Sequence, residues 1–149
     1  SWGVLIKMYP DADIPMVQLS IDSTKPPLWH LEMGRKLASL REEGIMLVAS
    51  GNVVHNLRTA KWHGDGTPYP WAESFNDFVK ANLGWKGAAE EHPLVNYLAH
   101  EGGSLSNPTP DHFLPLLYAL GAWDGKEPIS TRVDGLEMGS LSMLSVQIG

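Results

Sequence analysis

The sequence predicts an α/β protein, because helical segments alternate with short apolar segments that are typical of strands. Residues 28–43 carry leucines near helical spacing, and Gly44 follows where a helix commonly ends. The compact apolar run at residues 45–49 comes directly after this glycine and is interpreted as a buried strand. The loop at the carboxyl end of such a strand is the usual place for a ligand in an α/β sheet.

The remaining elements follow from the same periodicities. Alternation of apolar and polar residues predicts strands over residues 14–21, 130–133 and 140–148. Helical spacing predicts helices over residues 71–83, 93–99 and 113–122. Residues 2–9 are apolar but too few for periodicity to separate a helix from a strand.

Composition excludes several classes of protein. The 149 residues suffice for one domain, and the net charge of −6 disfavours a nucleic-acid or anionic-membrane surface. The chain has no cysteine, so any metal would be held by His, Asp or Glu, which favours zinc, iron or manganese. No apolar run approaches the ~20 residues of a membrane span and no signal-peptide pattern is present, so we expect a soluble, cytoplasmic protein.

The first residues predict that the chain is a piece of something larger. Ser1 and Trp2 lead directly into apolar sequence, without a methionine or a polar lead-in. Natural amino termini usually fray in polar residues. We therefore expect residues 1–149 to be part of a larger single domain.

Two of the six histidines stand out by their sequence context. His55 follows the predicted buried strand and a Ser-Gly-Asn turn, and His112 follows two prolines that restrict the backbone. Rigid placement of this kind is what an acid–base group or a metal ligand needs. The other histidines have surface or packing explanations: His30, His63, His92 and His100. Two histidines do not complete a metal site, which commonly needs three protein ligands.

Other catalytic signatures are absent from the sequence. It contains no P-loop, no G-x-G-x-x-G fingerprint and no H-E-x-x-H motif. Ser50 lacks the flanking pattern of a nucleophile elbow.

Four segments resemble the class III extradiol ring-cleavage dioxygenases, and in particular their bacterial 4,5-DOPA dioxygenase type. They are MYPDADIPMVQLSI at residues 8–21, ASGNVVHNL at 49–57, NPTPDHFLPLLYALGA at 107–122 and the closing SLSMLSVQIG. The resemblance implies an α/β/α fold with a mixed central sheet flanked by helices. It also implies that residues 1–149 are the carboxyl-terminal portion of one catalytic domain whose amino-terminal portion is absent.

The resemblance further assigns separate duties to the two histidines. His112 matches a metal ligand of the family, and two more histidine ligands would lie in the absent amino-terminal half. His55 matches the acid–base catalyst, close enough to the metal to be a possible fourth ligand. The implied reaction is ring cleavage of a catechol such as 4,5-DOPA with O₂ and Fe(II).

Two alternatives stay open at this point. An all-histidine ligand set also suits zinc, so the chain could belong to a zinc-binding protein on the same scaffold with a hydrolytic or non-catalytic role. Because half a metal site cannot work alone, a non-catalytic interaction module is the second alternative. The sequence leaves the oligomeric state undetermined.

Overall fold

The computed structural model describes residues 2–149, and Ser1 lies outside them. Its α-helices are α1 (Trp2–Met8), α2 (Pro27–Leu37), α3 (Pro70–Asn82), α4 (Gly103–Ser106) and α5 (Leu114–Gly121). Its strands are β1 (Ile129–Val133), β2 (Leu136–Glu137), β3 (Leu141–Ser142) and β4 (Ser145–Ile148). This combination of helices and sheets confirms the predicted α/β class.

The strands form two small antiparallel sheets near the carboxyl terminus. β1 pairs with β4, so that Ile129 lies opposite Ile148, and β2 pairs with β3. The strands predicted over residues 130–133 and 140–148 therefore form, although the second one is interrupted between β3 and β4. Left-handed glycines at Gly135 and Gly139 make the turns that reverse the chain between these strands.

The helix predicted over residues 28–43 is confirmed, and its last turn is tighter than expected. Pro27 opens α2, where a proline costs no hydrogen bond. The chain continues from α2 as a 3-10 helix over Ala38–Glu43 and stops at Gly44, whose φ of 79° is left-handed. Helices predicted over residues 71–83 and 113–122 correspond to α3 and α5, whereas residues 93–99 form only the 3-10 turn Tyr97–Ala99.

Two strand predictions fail among the described residues. Residues 14–21 and 45–49 are not part of any strand there, and Val17 is 99% exposed and Val48 52% exposed. A strand needs a neighbour to accept and donate its backbone hydrogen bonds, and residues 2–149 offer these two segments none. The buried strand expected ahead of His55 is therefore absent from the described residues, and the segment in its place is mostly exposed.

Close packing of α2 against α5 organises the core. A Cβ on Gly34 would lie 2.2 Å from the carbonyl oxygen of Tyr118, and one on Gly121 would lie 2.0 Å from that of Leu31. The two backbones touch because both positions lack side chains. Phe75 of α3 and Phe113, just before α5, are fully buried in the same hydrophobic core.

In the part of the chain that the structure describes, no helix combines the length and the apolar character needed to cross a bilayer. The cytoplasmic location stays a prediction.

Candidate functional site

The structure brings together the two histidines that the sequence singled out. The ring centroids of His55 and His112 lie 3.6 Å apart, with their planes tilted by 46°. Both side chains are partly exposed, so their rings remain reachable from outside. The two imidazole rings are therefore direct neighbours and form one site.

His55 is held by backbone hydrogen bonds on both sides of it. Its N–H donates to the carbonyl of Ser106 at 2.8 Å, and the carbonyl of Val54 accepts the N–H of Ser142 at 2.9 Å. The N–H of Asn56 donates to the carbonyl of Ser140 at 3.2 Å. His55 therefore sits in an extended segment beside β3, and not in a free loop after a buried strand.

The backbone of His112 is held by Gly51 and Asn52, which belong to the same segment as His55. The N–H of Asn52 donates to the carbonyl of His112 at 2.9 Å, and the side-chain amide of Asn52 donates to the carbonyl of Ser142 at 2.6 Å. A Cβ on Gly51 would lie 2.1 Å from the His112 carbonyl oxygen. Pro110 opens the 3-10 turn Pro110–His112, which ends on the histidine.

Sequence reasoning missed the residues that support this pair. Asn107 donates its side-chain amide to the carbonyl of Val53 at 2.8 Å. The Ser106 hydroxyl and the Asn107 side-chain oxygen are buried and have no hydrogen-bond partner among residues 2–149. The Asn-Pro dipeptide at 107–108 marks a turn but does not reveal which backbone group the amide will bind.

The electrostatic surroundings favour a neutral His55 beside a charged carboxylate. Burial lowers the pKa of His55, and the neighbouring His112 lowers it further, while Asp111 acts in the opposite direction. A hydrogen bond from Thr109, aided by the two imidazoles, lowers the pKa of Asp111. The Asp111 carboxylate also lies 3.6 Å from Nε2 of His112. At neutral pH the site therefore holds a proton acceptor next to a fixed negative charge.

Three of the other histidines have no part in this site. His30 is fully buried between the Tyr118 hydroxyl at 3.1 Å and the carbonyl of Lys25 at 3.3 Å. His100 accepts the N–H of Gly102 at 3.0 Å, and His63 is exposed.

The donor chemistry of the pair fits a divalent metal, although the pair does not complete a site. Neutral imidazole is the commonest metal ligand in proteins, and the two rings lie next to each other. Within the described residues, no group of three or more His, Asp or Glu side chains is close enough to hold a metal. Further ligands would have to come from elsewhere.

The chain is similar in sequence to known proteins. No family model matches the chain. The curated protein "4,5-DOPA dioxygenase extradiol" of Escherichia coli K12 is 81% identical over 149 residues, which is the whole of this chain and 55% of that protein. The chain is homologous to the 4,5-DOPA extradiol dioxygenases. The resemblance drawn from the sequence motifs is thereby confirmed.

A more distant curated relative and a solved structure also match the chain. A protein of the same name from Portulaca grandiflora is 38% identical over 122 residues, covering 82% of this chain and 44% of its own length. The crystal structure of an uncharacterized protein from E. coli K12 matches with a TM-score of 0.98 and 81% identity, over all of this chain and 61% of that one. The chain spans about half the length of the curated relatives it matches, and it is part of a larger domain.

The close approach of Gly51 to His112 generates a first prediction. In the full-length protein, Gly51→Ala should displace the His112 backbone, because the added methyl group meets the carbonyl oxygen at 2.1 Å. On the expectation that His112 binds a metal, we predict a loss of metal affinity of about tenfold, measured by competition with a chelator, because groups that position a ligand typically contribute tenfold or more. Ser50→Ala, at the exposed neighbouring position, is the control and should leave affinity unchanged. Equal affinity in wild type and Gly51→Ala would contradict the positioning role.

Proposed function

We propose that this chain forms part of a metal-dependent extradiol dioxygenase that opens the ring of a catechol such as 4,5-DOPA with O₂. The observation that carries the proposal is the 3.6 Å separation of the His55 and His112 rings. The names of the curated relatives, which describe DOPA extradiol dioxygenases, support the reaction class.

In this proposal His112 is a metal ligand and His55 is the acid–base group, near enough to serve as a fourth ligand. Fe(II) at this position would supply the redox chemistry that joins O₂ to a catechol. The remaining ligands would come from the part of the longer protein that this chain does not include, since the relatives are almost twice as long.

His55 has the properties needed to move a proton. Burial and His112 keep its ring unprotonated near neutral pH, so a ring nitrogen can accept a proton from a catechol hydroxyl. The Asp111 carboxylate then stabilises the imidazolium, because it favours the charged ring. The same imidazolium can return the proton to an oxygen of the opened product.

The exposed apolar segments support the proposal that the rest of the protein completes the site. Residues 14–21 and 45–49 belong to no strand among the described residues, and apolar side chains such as Val17 and Val48 are exposed. Backbone without strand partners that carries exposed apolar side chains offers a surface on which another strand can form. We propose that the amino-terminal portion of the longer protein covers these segments and brings its ligands to His112.

The direct test of the function uses the full-length protein loaded anaerobically with Fe(II) and mixed with DOPA. On admission of air we expect a yellow ring-opened product, followed by absorbance, whereas the Zn(II)-loaded protein should remain colourless because zinc does not change its redox state. A colourless solution with every catechol tried, despite bound iron, would contradict the dioxygenase. That result would favour the alternative of a zinc-binding protein on the same scaffold, because histidine ligands also suit zinc.

Separate substitutions distinguish the two histidines. We expect His55→Ala to lower turnover at least about a hundredfold, because an acid–base group is lost, with a smaller loss of metal than in His112→Ala. Metal content by elemental analysis and turnover on DOPA check this, and His63→Ala at an exposed position is the control. Equal metal loss in both variants would place His55 among the obligatory ligands. Full metal retention in both variants would contradict the proposed roles, because other residues would then hold the metal.

A further inference from the structure

A cavity lies at the other end of α5 from the histidine pair. Its volume is about 240 Å³, and it lies between α2, the segment after α3 and the turn after α5. His112 precedes the first residue of α5, whereas Leu120 and Gly121 at the last turn line this cavity. A helix of this length rises about 12 Å, so the cavity is separate from the proposed active site.

Two indole rings form rigid walls of the cavity. The indole N–H of Trp85 donates to the carbonyl of Ala88 at 3.3 Å, and the ring covers Gly87, where a Cβ would lie 2.5 Å from it. The indole N–H of Trp123 donates to the carbonyl of Glu127 at 2.9 Å. Both rings are therefore held in place before any ligand arrives, and they are only partly covered by protein. Aromatic faces of this kind suit a flat apolar group.

A buried histidine presents a hydrogen-bond donor to the same cavity. His92 lines it and is 5% exposed. Its Nδ1 accepts the N–H of Leu94 at 3.1 Å, and burial lowers its pKa to about 4, so the neutral ring carries its proton on Nε2. No residue in the described range 2–149 accepts a hydrogen bond from that Nε2–H. The Nε2–H of His92 is therefore available to a ligand atom that accepts it.

Two cationic side chains also line the cavity. Arg35 is near enough to His92 to oppose its protonation, and Lys86 lies with its ammonium 5.6 Å from the centre of the Trp123 ring. Neither Arg35 nor Lys86 forms an ion pair within the described part of the chain. The cationic partners of the ion pairs found there are Arg41, Lys80 and His112. Asp124 also lines the cavity, but one of its carboxylate oxygens accepts the backbone N–H groups of Lys126 and Glu127 at 2.7 and 2.9 Å.

We propose that this cavity binds a small aromatic carboxylate. The indole faces receive the ring, while Arg35, Lys86 and the Nε2–H of His92 bind the carboxylate. The volume of about 240 Å³ leaves room for a single ring with one carboxylate. A guanidinium and a neutral N–H together offer the planar donors that a carboxylate accepts best.

The test titrates benzoate into the full-length protein by calorimetry, with benzyl alcohol as the uncharged counterpart of the same size. We expect saturable benzoate binding at millimolar concentration or below, and much weaker binding of benzyl alcohol. Since one charge-assisted hydrogen bond corresponds to a factor of about ten, Arg35→Gln and Lys86→Gln should each raise the Kd for benzoate about tenfold. Lys36→Gln, the next residue on the exposed side of α2, is the matched control and should leave the Kd unchanged.

A further variant separates this cavity from the proposed active site. His112→Ala should leave the benzoate Kd unchanged, whatever it does to metal content or turnover. Loss of binding in His112→Ala would assign the benzoate to the histidine pair and overturn the proposal. Equal binding of benzoate and benzyl alcohol, or a Kd that is unchanged in Arg35→Gln and Lys86→Gln, would also overturn it.

Discussion

The segment 51–56 lies between two other parts of the chain and hydrogen-bonds to both of them. On one side, Asn52 and His55 donate backbone N–H groups to the carbonyls of His112 and Ser106. On the other side, Val54 and Asn56 exchange backbone hydrogen bonds with residues 140–142. The rings of His55 and His112 stay close because their backbones are joined through this segment. Everything proposed for the reaction depends on that connection.

The position of His112 also depends on the close packing of α5 against α2. α5 begins just after His112, and its last residue, Gly121, touches the backbone of α2. Phe113 is fully buried in the hydrophobic core, so the residue after His112 is anchored in the apolar interior. One end of α5 thus fixes the histidine pair, and the other end forms part of the cavity proposed for an aromatic carboxylate. The two sites share a helix but no lining side chain.

Local sequence patterns predicted the elements whose stabilising partners lie within the chain. The helix ending at Gly44 and the pairing of β1 with β4 follow from residue spacing, and their contacts are present among the described residues. The strands expected over residues 14–21 and 45–49 did not form, because a strand depends on a neighbour that residues 2–149 do not provide. The same distinction holds at the site. Proline and turn signals singled out His55 and His112, but their 3.6 Å approach and the supporting role of Asn107 depend on long-range contacts.

The central claim is that His55 and His112 face one metal ion whose other ligands come from the rest of the longer protein. A crystal structure of the full-length protein, with anomalous data collected at the absorption edge of the bound metal, tests this most directly. We predict one peak about 2.0–2.2 Å from a ring nitrogen of His112 and next to the His55 ring, with additional ligands outside residues 1–149. An anomalous peak elsewhere in the protein, or a metal that His112 does not coordinate, would contradict the account.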